Sequence, residues 1–361
     1  MKSSFNQIFP QFALYIISIL IISYLGLIFF PVSYIFNPTL PSVLSNWDGA
    51  YYLNIVQSGY SDSHHFAFLP LYPGLIYLLT FVTGNSLISG ILISWSCFLL
   101  ALIFLFRITQ QEYSIKIAHT TLTYLLIFPT SFYFIVVYTE SLFLMLAVLV
   151  FYFLQRQNKY DLIFATGVVS LSLITRIFGL GLLLALWITA FTNKDLKYRW
   201  VVLFGPLTLI GYIYYLQLTY QNPWLMISAQ HNWDRTVGLS NLDIFSLIAD
   251  LWSKPLTGKL IIQWLEYILL AFGLGLLIRV IRHQKLPYVI YSLTAFLIIL
   301  ISGSLQSVPR YLVVIFPLFI ALATWKKRHS INLPWNKIYL TVSGSLLLLF
   351  LIRFINGYWV A

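Results

Sequence analysis

The chain has 361 residues, of which 60% are hydrophobic, 18% aromatic and only 9% charged. A soluble globular domain carries about 25% charged residues, and a core of this size cannot hide so much apolar surface, so a soluble enzyme is excluded. The net charge of +11 does not indicate a nucleic-acid partner, because the basic residues are scattered between apolar stretches rather than gathered on one face.

Residues 3–47, 63–106, 117–139 and 200–233 carry no charge, and a helix needs about 20 apolar residues to cross a bilayer. The pattern predicts an all-α, polytopic integral membrane protein of about 11 spans, forming one membrane-embedded domain over 1–361. The spans are expected near 12–30, 86–107, 117–137, 138–155, 160–175, 178–192, 200–218, 260–281, 287–303, 309–325 and 338–355. Met1 and Lys2 lead into the first span without a small-residue cleavage site, so it is read as retained. Residues 67–83 are apolar enough to cross, but Pro70 and Pro73 break their start, and they are read as a juxtamembrane or re-entrant segment. The lone cysteine, Cys97, lies in an apolar run and reads as a small core residue.

With the N-terminus inside, the inner segments hold Lys2, Arg107, Lys116, Arg156, Lys159, Lys194, Lys197, Arg199, Arg279, Arg282, Lys285, Lys326, Lys327, Arg328 and Lys337. The other side keeps only Arg176, Arg235, Lys254, Lys259, Arg310 and Arg353. That is the positive-inside asymmetry. Acidic residues sort the other way. Glu112, Asp161 and Asp195 fall inside, while Asp48, Asp62, Glu140, Asp234, Asp243, Asp250 and Glu266 fall outside or at outer span ends. Acids contribute little to orientation, so their gathering points to chemistry on the outer face. Two outer loops are long, about 31–85 and about 219–258. Both are too aromatic to be disordered and are expected to fold onto the membrane surface as short amphipathic helices.

Five clusters stand out. The first is Asn46-Trp47-Asp48-Gly49-Ala50-Tyr51-Tyr52, followed by His64-His65-Phe66. Asp48 reads either as a helix N-cap or as a general base beside an aromatic wall of Trp47, Tyr51 and Tyr52. His64 and His65 read as interfacial polar residues or substrate contacts. The second is Phe128-Pro129-Thr130-Ser131-Phe132, leading to Tyr138-Thr139-Glu140-Ser141. Glu140 suits a helix N-terminus, yet an ionisable residue at membrane depth is a functional candidate by default. The third, Thr175-Arg176-Ile177-Phe178-Gly179, sets one guanidinium in an otherwise uncharged stretch, where it either snorkels or faces a polar cavity and an anion such as phosphate. The fourth, Asn222-Pro223-Trp224 through Gln230-His231-Asn232-Trp233, suits sugar recognition by amide hydrogen bonds and ring stacking, or an interfacial aromatic belt. The fifth, Gln306-Ser307-Val308-Pro309-Arg310-Tyr311, begins a span with a cation on the side that the charge rule disfavours, where it either snorkels or serves the site.

This set fits glycosyl transfer from a lipid-linked phosphate sugar. Phosphate is a good leaving group, one carboxylate takes the acceptor proton, and nearby cations stabilise the charge that grows on the phosphate. Asp48 and Glu140 are the acids in play. Trp47, Tyr51, His64, His65, Arg176, Gln230, His231, Arg310 and Tyr311 are candidate substrate contacts. No metal is required, although Asp48, Asp62 and Glu140 would offer a divalent site if the loops brought them together. The rival readings are a lipid or glycan transporter or flippase, against which no internal repeat is evident, and a non-catalytic subunit of another transferase.

The ordered series Trp47-Asp48 with Gly59-Tyr60, HHFAFLPLYP, FPTSF with YTESLF, TRIFGL, NPWLMISAQHNW and VPRYLVVIFPLF resembles the GPI mannosyltransferase II family and its shorter prokaryotic relatives. These belong to the GT-C glycosyltransferases. The resemblance implies an outward-facing active site in a prokaryotic-type cell membrane and a polyprenyl- or dolichyl-phosphate hexose donor, mannose by preference. It also implies a glycan or glycolipid acceptor, inversion at the sugar carbon, and an Asp base in the first outer loop, which falls on Asp48. Leu69 departs from the family's second Phe, and the chain is shorter than the eukaryotic enzymes, which leaves a GPI precursor a poor candidate acceptor.

Overall fold

The structure, a computed structural model, describes residues 2–33, 39–156, 158, 160–193, 198–233, 258–302, 304–325 and 335–360. Lys159, Lys194, Asp195, Lys197, Asp234, Arg235, Asp243, Asp250, Lys254, Lys326, Lys327 and Arg328 lie outside the described residues, as does the 234–257 part of the second long loop. The side chains of Lys2 and Lys259 do so too.

The regular structure is helical, with no β-strand among the described residues. In chain order the helices are α1 (Lys2–Phe29), α2 (Leu40–Val43), α3 (Asp48–Ser58), α4 (Leu71–Thr83), α5 (Ser86–Glu112), α6 (Ile115–Leu126), α7 (Glu140–Arg156) and α8 (Asp161–Leu173). There follow α9 (Gly179–Thr192), α10 (Leu207–Tyr220), α11 (Leu225–Ser228), α12 (Gly258–His283), α13 (Leu286–Ile301), α14 (Val308–Leu312), α15 (Pro317–Ala323) and α16 (Trp335–Ile355). Among the described residues, five helical segments are long and apolar enough to cross a bilayer: Ser4–Phe29, Ser86–Glu112, Arg199–Tyr220, Leu260–His283 and Trp335–Ile355. Shorter apolar helices pack between them. Large apolar side chains on the perimeter stay exposed, including Leu14 on α1, Tyr214 on α10 and Leu297 on α13, as a lipid-facing surface requires. The chain is a multi-pass integral membrane protein.

The first long loop folds into short helices, α2, α3, a 3-10 turn at Ser63–Ala67 and α4. At 13 residues, α4 is about 20 Å long, against a hydrocarbon core of about 30 Å. It lies along the first turns of α5. The Tyr72 hydroxyl is 2.7 Å from Ser94 Oγ, Thr83 Oγ1 is 2.6 Å from Ser89 Oγ, and Gly84 closes the turn between the two helices with φ +69°.

Three expected spans are not continuous α-helices: 200–218 turns at Gly205–Pro206 between a 3-10 segment, Arg199–Phe204, and α10, and two others break more deeply. The stretch 117–137 is α-helical only to Leu126, with a 3-10 turn at Ser131–Phe134, and 309–325 breaks between Leu312 and Pro317. Both breaks are buried throughout, over 128–140 and 307–321. Proline explains them: Pro129 and Pro317 lack an N–H and clash with the carbonyl four residues back. Irregular backbone at membrane depth survives only where protein satisfies it. Here Ser131 Oγ donates to the Leu126 carbonyl at 2.7 Å, Thr130 Oγ1 to the Pro309 carbonyl at 2.8 Å, and the Tyr291 hydroxyl to the Val314 carbonyl at 2.9 Å. The Thr130 bond ties one broken segment to the other.

The bundle has two polar ends. At one, Glu112 accepts from Gln155 and from the Tyr288 hydroxyl, both at 2.9 Å, and pairs with Lys285 at 2.9 Å. Helix α7 begins at the opposite end, where Glu140 meets the ends of α3, α8 and α14.

Candidate functional site

Four charged side chains from four distant segments form one buried network. Asp48 opens α3, but it is not the N-cap: that position is Trp47, in the left-hand half of backbone space (φ 59°, ψ −119°) and with no side-chain cap. The N-cap reading of Asp48 is thereby corrected. Its carboxylate instead takes a hydrogen bond from Arg310 Nη1 through Oδ2 at 2.6 Å. The Asp48 amide donates to the Tyr138 hydroxyl at 3.1 Å, and that hydroxyl donates to the Asn46 carbonyl at 3.0 Å. Asn46 is anchored in turn, its Nδ2 donating to the Phe354 carbonyl at the end of α16 at 2.9 Å. A buried tyrosine thus holds the strained turn that presents Asp48.

Glu140 is the first residue of α7 and is fully buried. Its Oε1 accepts from Arg176 Nη1 at 2.6 Å and lies 3.2 Å from Arg310 Nε. Arg176 follows α8 in a turn so tight that a Cβ on Gly179 would lie 2.8 Å from the backbone of Ser172 and Leu173. Its Nη1 also donates to Thr139 Oγ1 at 2.8 Å. Arg310 comes from α14 and is buried. Tyr311 lies beside both cations, 5.6 Å from the Arg176 guanidinium carbon and 5.5 Å from that of Arg310. Tyr138 and Tyr133 face Arg310 at 5.5 and 5.7 Å, and Phe178 faces Arg176 at 5.7 Å.

Two carboxylates therefore balance two guanidiniums. Desolvation makes a buried ion pair costly to assemble and costly to break, so such a site needs a reason beyond stability. The engaged atoms supply one. Asp48 Oδ1 makes no hydrogen bond, and neither does Nη2 of Arg176 or of Arg310, among the described residues. Glu140 Oε2 and Arg310 Nε are likewise buried without a hydrogen-bond partner, so both carboxylates keep an unspent acceptor and both guanidiniums an unspent donor.

An aromatic wall adjoins this network. Tyr51, one turn along α3 from Asp48, stacks on Phe68 at 5.4 Å and meets Trp233 edge-on at 5.0 Å. Trp233 belongs to the second long loop, so the two loops close over one another. Of the motif's other two aromatics, Tyr52 is buried against Phe68 and Tyr72, each at 5.0 Å, and Trp47 turns away toward Trp359 at 5.3 Å. His64 sits 5.5 Å from the Trp233 ring and pairs with Asp62 at 2.7 Å. The His64 amide and imidazole hold the Asp62 carboxyl below its ordinary range. His65 is buried and is spent on a capping box, its Nδ1 accepting the Asp62 amide at 3.4 Å. Gln230 and exposed His231 lie on the 3-10 turn Ala229–Trp233, with no hydrogen bond to the charged network among the described residues. Asp62 is engaged with the histidines, and Asp48 and Glu140 both converge on Arg310. No group of three or more His, Cys, Asp or Glu suited to a metal occurs among the described residues. Tyr133 and the hydroxyl roles of Tyr138 and Thr139 were not singled out from sequence. Their signal was proximity to Glu140, in a segment where Pro129 and the Thr130-Ser131 hydroxyl pair break the helix.

The fold has known counterparts. ArnT from Cupriavidus metallidurans bound to undecaprenyl phosphate superposes with a TM-score of 0.53 and 14% identity, over 96% of this chain and 74% of that one. The same protein in the apo state gives 0.50 and 14%, over 96% and 73%. At that identity the likeness shows the fold alone. No curated protein matches the sequence. The family model described as mannosyltransferase (PIG-V) matches residues 28–249, a stretch that contains Asp48, Glu140 and Arg176. The chain belongs to the mannosyltransferase (PIG-V) family and is a membrane-embedded glycosyltransferase.

Proposed function

We propose that this protein transfers a hexose, mannose on family grounds, from a polyprenyl-phosphate donor to a hydroxyl of a glycan or glycolipid acceptor. The site would face the outside of a prokaryotic cell membrane. The observation that carries the reading is that the Asp48–Arg310 and Glu140–Arg176 pairs, each at 2.6 Å, use one oxygen of each acid and leave Asp48 Oδ1 and both Nη2 atoms without a hydrogen bond among the described residues. The lipid-phosphate donor is further supported by the undecaprenyl phosphate in the ArnT structure of similar fold. The outward orientation rests on the distribution of lysine and arginine.

In the reaction the acceptor oxygen attacks the anomeric carbon as the bond from that carbon to the phosphate oxygen breaks. The acceptor proton passes to Asp48 Oδ1. The leaving polyprenyl phosphate gains a negative charge, which Arg176 and Arg310 stabilise where it develops. Attack opposite the leaving group inverts the sugar carbon. Glu140 anchors both arginines and so fixes the phosphate site. Tyr51, Trp233 and His64 form the wall on which a sugar ring of the acceptor stacks. Every component of the step is a protein side chain or a substrate, and no divalent cation is called on.

The test is purified protein in nanodiscs with polyprenyl-phosphate mannose and a panel of glycolipid acceptors. Acceptor-dependent release of polyprenyl phosphate is expected, unchanged by EDTA. Lipid movement across the bilayer without release would establish the flippase reading instead. Loss of transfer on chelation would return Asp48 and Glu140 to a metal-binding role.

A further inference from the structure

Among the described residues, Glu266 is the one buried acid near this end of the bundle that the reaction leaves unused. It lies on α12, within a spanning helix, and is almost fully buried. A carboxyl group at such depth is expensive and marks function by default. Its Oε1 accepts the backbone N–H of Ser307 at 3.0 Å, across a sequence separation of 41.

Ser307 is the N-cap of α14 and adopts φ 70°, ψ 12°, with no side-chain capping bond. This left-handed conformation is unfavourable for a residue with a side chain. The described residues include four non-glycine positions with positive φ: Trp47, Tyr198, Gln221 and Ser307. Two of these stand just ahead of the ion-paired residues, Trp47 before Asp48 and Ser307 three before Arg310. Each is held by a buried side chain from another segment, Trp47's turn by Tyr138 and Ser307's by Glu266. From Ser307 the chain runs directly into the helix turn, the Tyr311 amide bonding back to the Ser307 carbonyl at 3.1 Å. With Val308 and Pro309 buried on the same turn, the conformation of Ser307 sets where the Arg310 side chain emerges.

We infer that Glu266 is a positioning residue: by accepting the Ser307 amide it holds the turn that places Arg310 between Asp48, Glu140 and the donor phosphate. The inference rests on the proposed role of the four-residue site. Its requirement is an acceptor oxygen at Glu266, so glutamine replaces it and alanine does not.

The experiment measures the Kd for polyprenyl phosphate and the transfer rate in nanodiscs for the wild type, Glu266→Ala, Glu266→Gln, Arg310→Gln and the E266A/R310Q double variant. Glu266→Ala should weaken binding about tenfold, the scale of one unmade buried hydrogen bond, and Glu266→Gln should stay within about threefold on the same scale. In the R310Q background the E266A change should add less than about twofold, because residues acting through one group are not additive. A second arm, E266A/S307G, should recover at least half of the lost affinity on a logarithmic scale, since glycine takes a positive φ freely. That arm also serves if E266A alone folds poorly. The inference is overturned if E266A leaves Kd unchanged, if E266Q falls as far as E266A, if E266A adds its full factor to R310Q, or if S307G gives no recovery. Full transfer by Asp48→Asn would refute the base assignment alone. The E266A–R310Q coupling would still be readable, since lipid-phosphate binding needs no base.

Discussion

Replacing Asp48 by Asn separates catalysis from binding in this site. The change removes the proposed base but keeps a neutral acceptor of the same shape toward Arg310 Nη1, now 2.6 Å from Oδ2. General base catalysis contributes typically about 10²–10⁴-fold, so a fall of about a thousandfold in kcat is expected, which is roughly 4 kcal/mol of barrier. Stability should suffer far less than the roughly 3–5 kcal/mol of an orphaned buried charge, because Arg310 retains Glu140 at 3.2 Å. Binding should move the other way. The network passes from neutral to one net positive charge. At an effective dielectric of about 20, a unit charge about 6 Å from a phosphate is worth roughly 3 kcal/mol before desolvation is charged against it. The Kd for polyprenyl phosphate should therefore hold or tighten while turnover collapses. The assay pairs release of polyprenyl phosphate from polyprenyl-phosphate mannose with equilibrium binding of radiolabelled polyprenyl phosphate to nanodiscs. An Asp48→Asn protein that turns over above about a tenth of the wild-type rate defeats the base assignment, given the scale of that catalysis. One that loses lipid-phosphate affinity together with rate defeats the charge-balance argument.

Tyr138→Phe removes a hydroxyl that accepts the Asp48 amide and donates to the Asn46 carbonyl, while the ring that faces Arg310 remains. Two buried polar groups lose a partner, at about 1–3 kcal/mol each, so kcat should fall at least about tenfold with the donor KM nearly unchanged; an unaltered kcat would show that the Trp47 turn holds itself. Gly179→Ala places a methyl 2.8 Å from the Ser172 and Leu173 backbone, where no flexible side chain can yield. Overpacking of this kind costs about 1–3 kcal/mol, so the thermal midpoint should drop and donor KM should rise as Arg176 shifts; normal kinetics and stability in the same preparation would refute the tight-turn account.

Much of the site is readable in sequence because charge is so scarce here. In a chain that is 9% charged, Glu140, Arg176 and Arg310 interrupt apolar stretches, and Asp48 follows a conspicuous Trp in an outer loop. The structure brings these four together. What escaped is backbone conformation. Hydropathy measures transfer into an apolar medium, and the irregular segment Ile135–Thr139 is as apolar as a helix, so the span expected at 117–137 absorbed it. Pro129 marked the break but not its length. The capping signal of Asp48 misled for a related reason: Trp occupies the N-cap with positive φ, a choice no local propensity favours, and it is imposed by Tyr138 from 90 residues away. Glu266 was counted among the outer acids, yet nothing local connects it to a backbone amide 41 positions later. The orientation of the aromatic wall was half legible, since Tyr51 faces the site while Trp47 packs toward the C-terminal segment.

The bond between Asp48 and Arg310 spans 262 positions of the chain, and that separation is also an interval of time. At synthesis rates of about 5–20 residues per second, roughly 13–50 s elapse between the emergence of the two residues from the ribosome. Glu140 waits far less for Arg176, which follows it by 36 positions. During membrane insertion the two acids are thus neutralised in sequence, Glu140 early by Arg176 and Asp48 late by Arg310. A nascent chain that stalls before α14 leaves Asp48 in the first long loop without its arginine partner. The charged network closes only when the last quarter of the sequence arrives, so the burial of Asp48 depends on a segment 262 positions away.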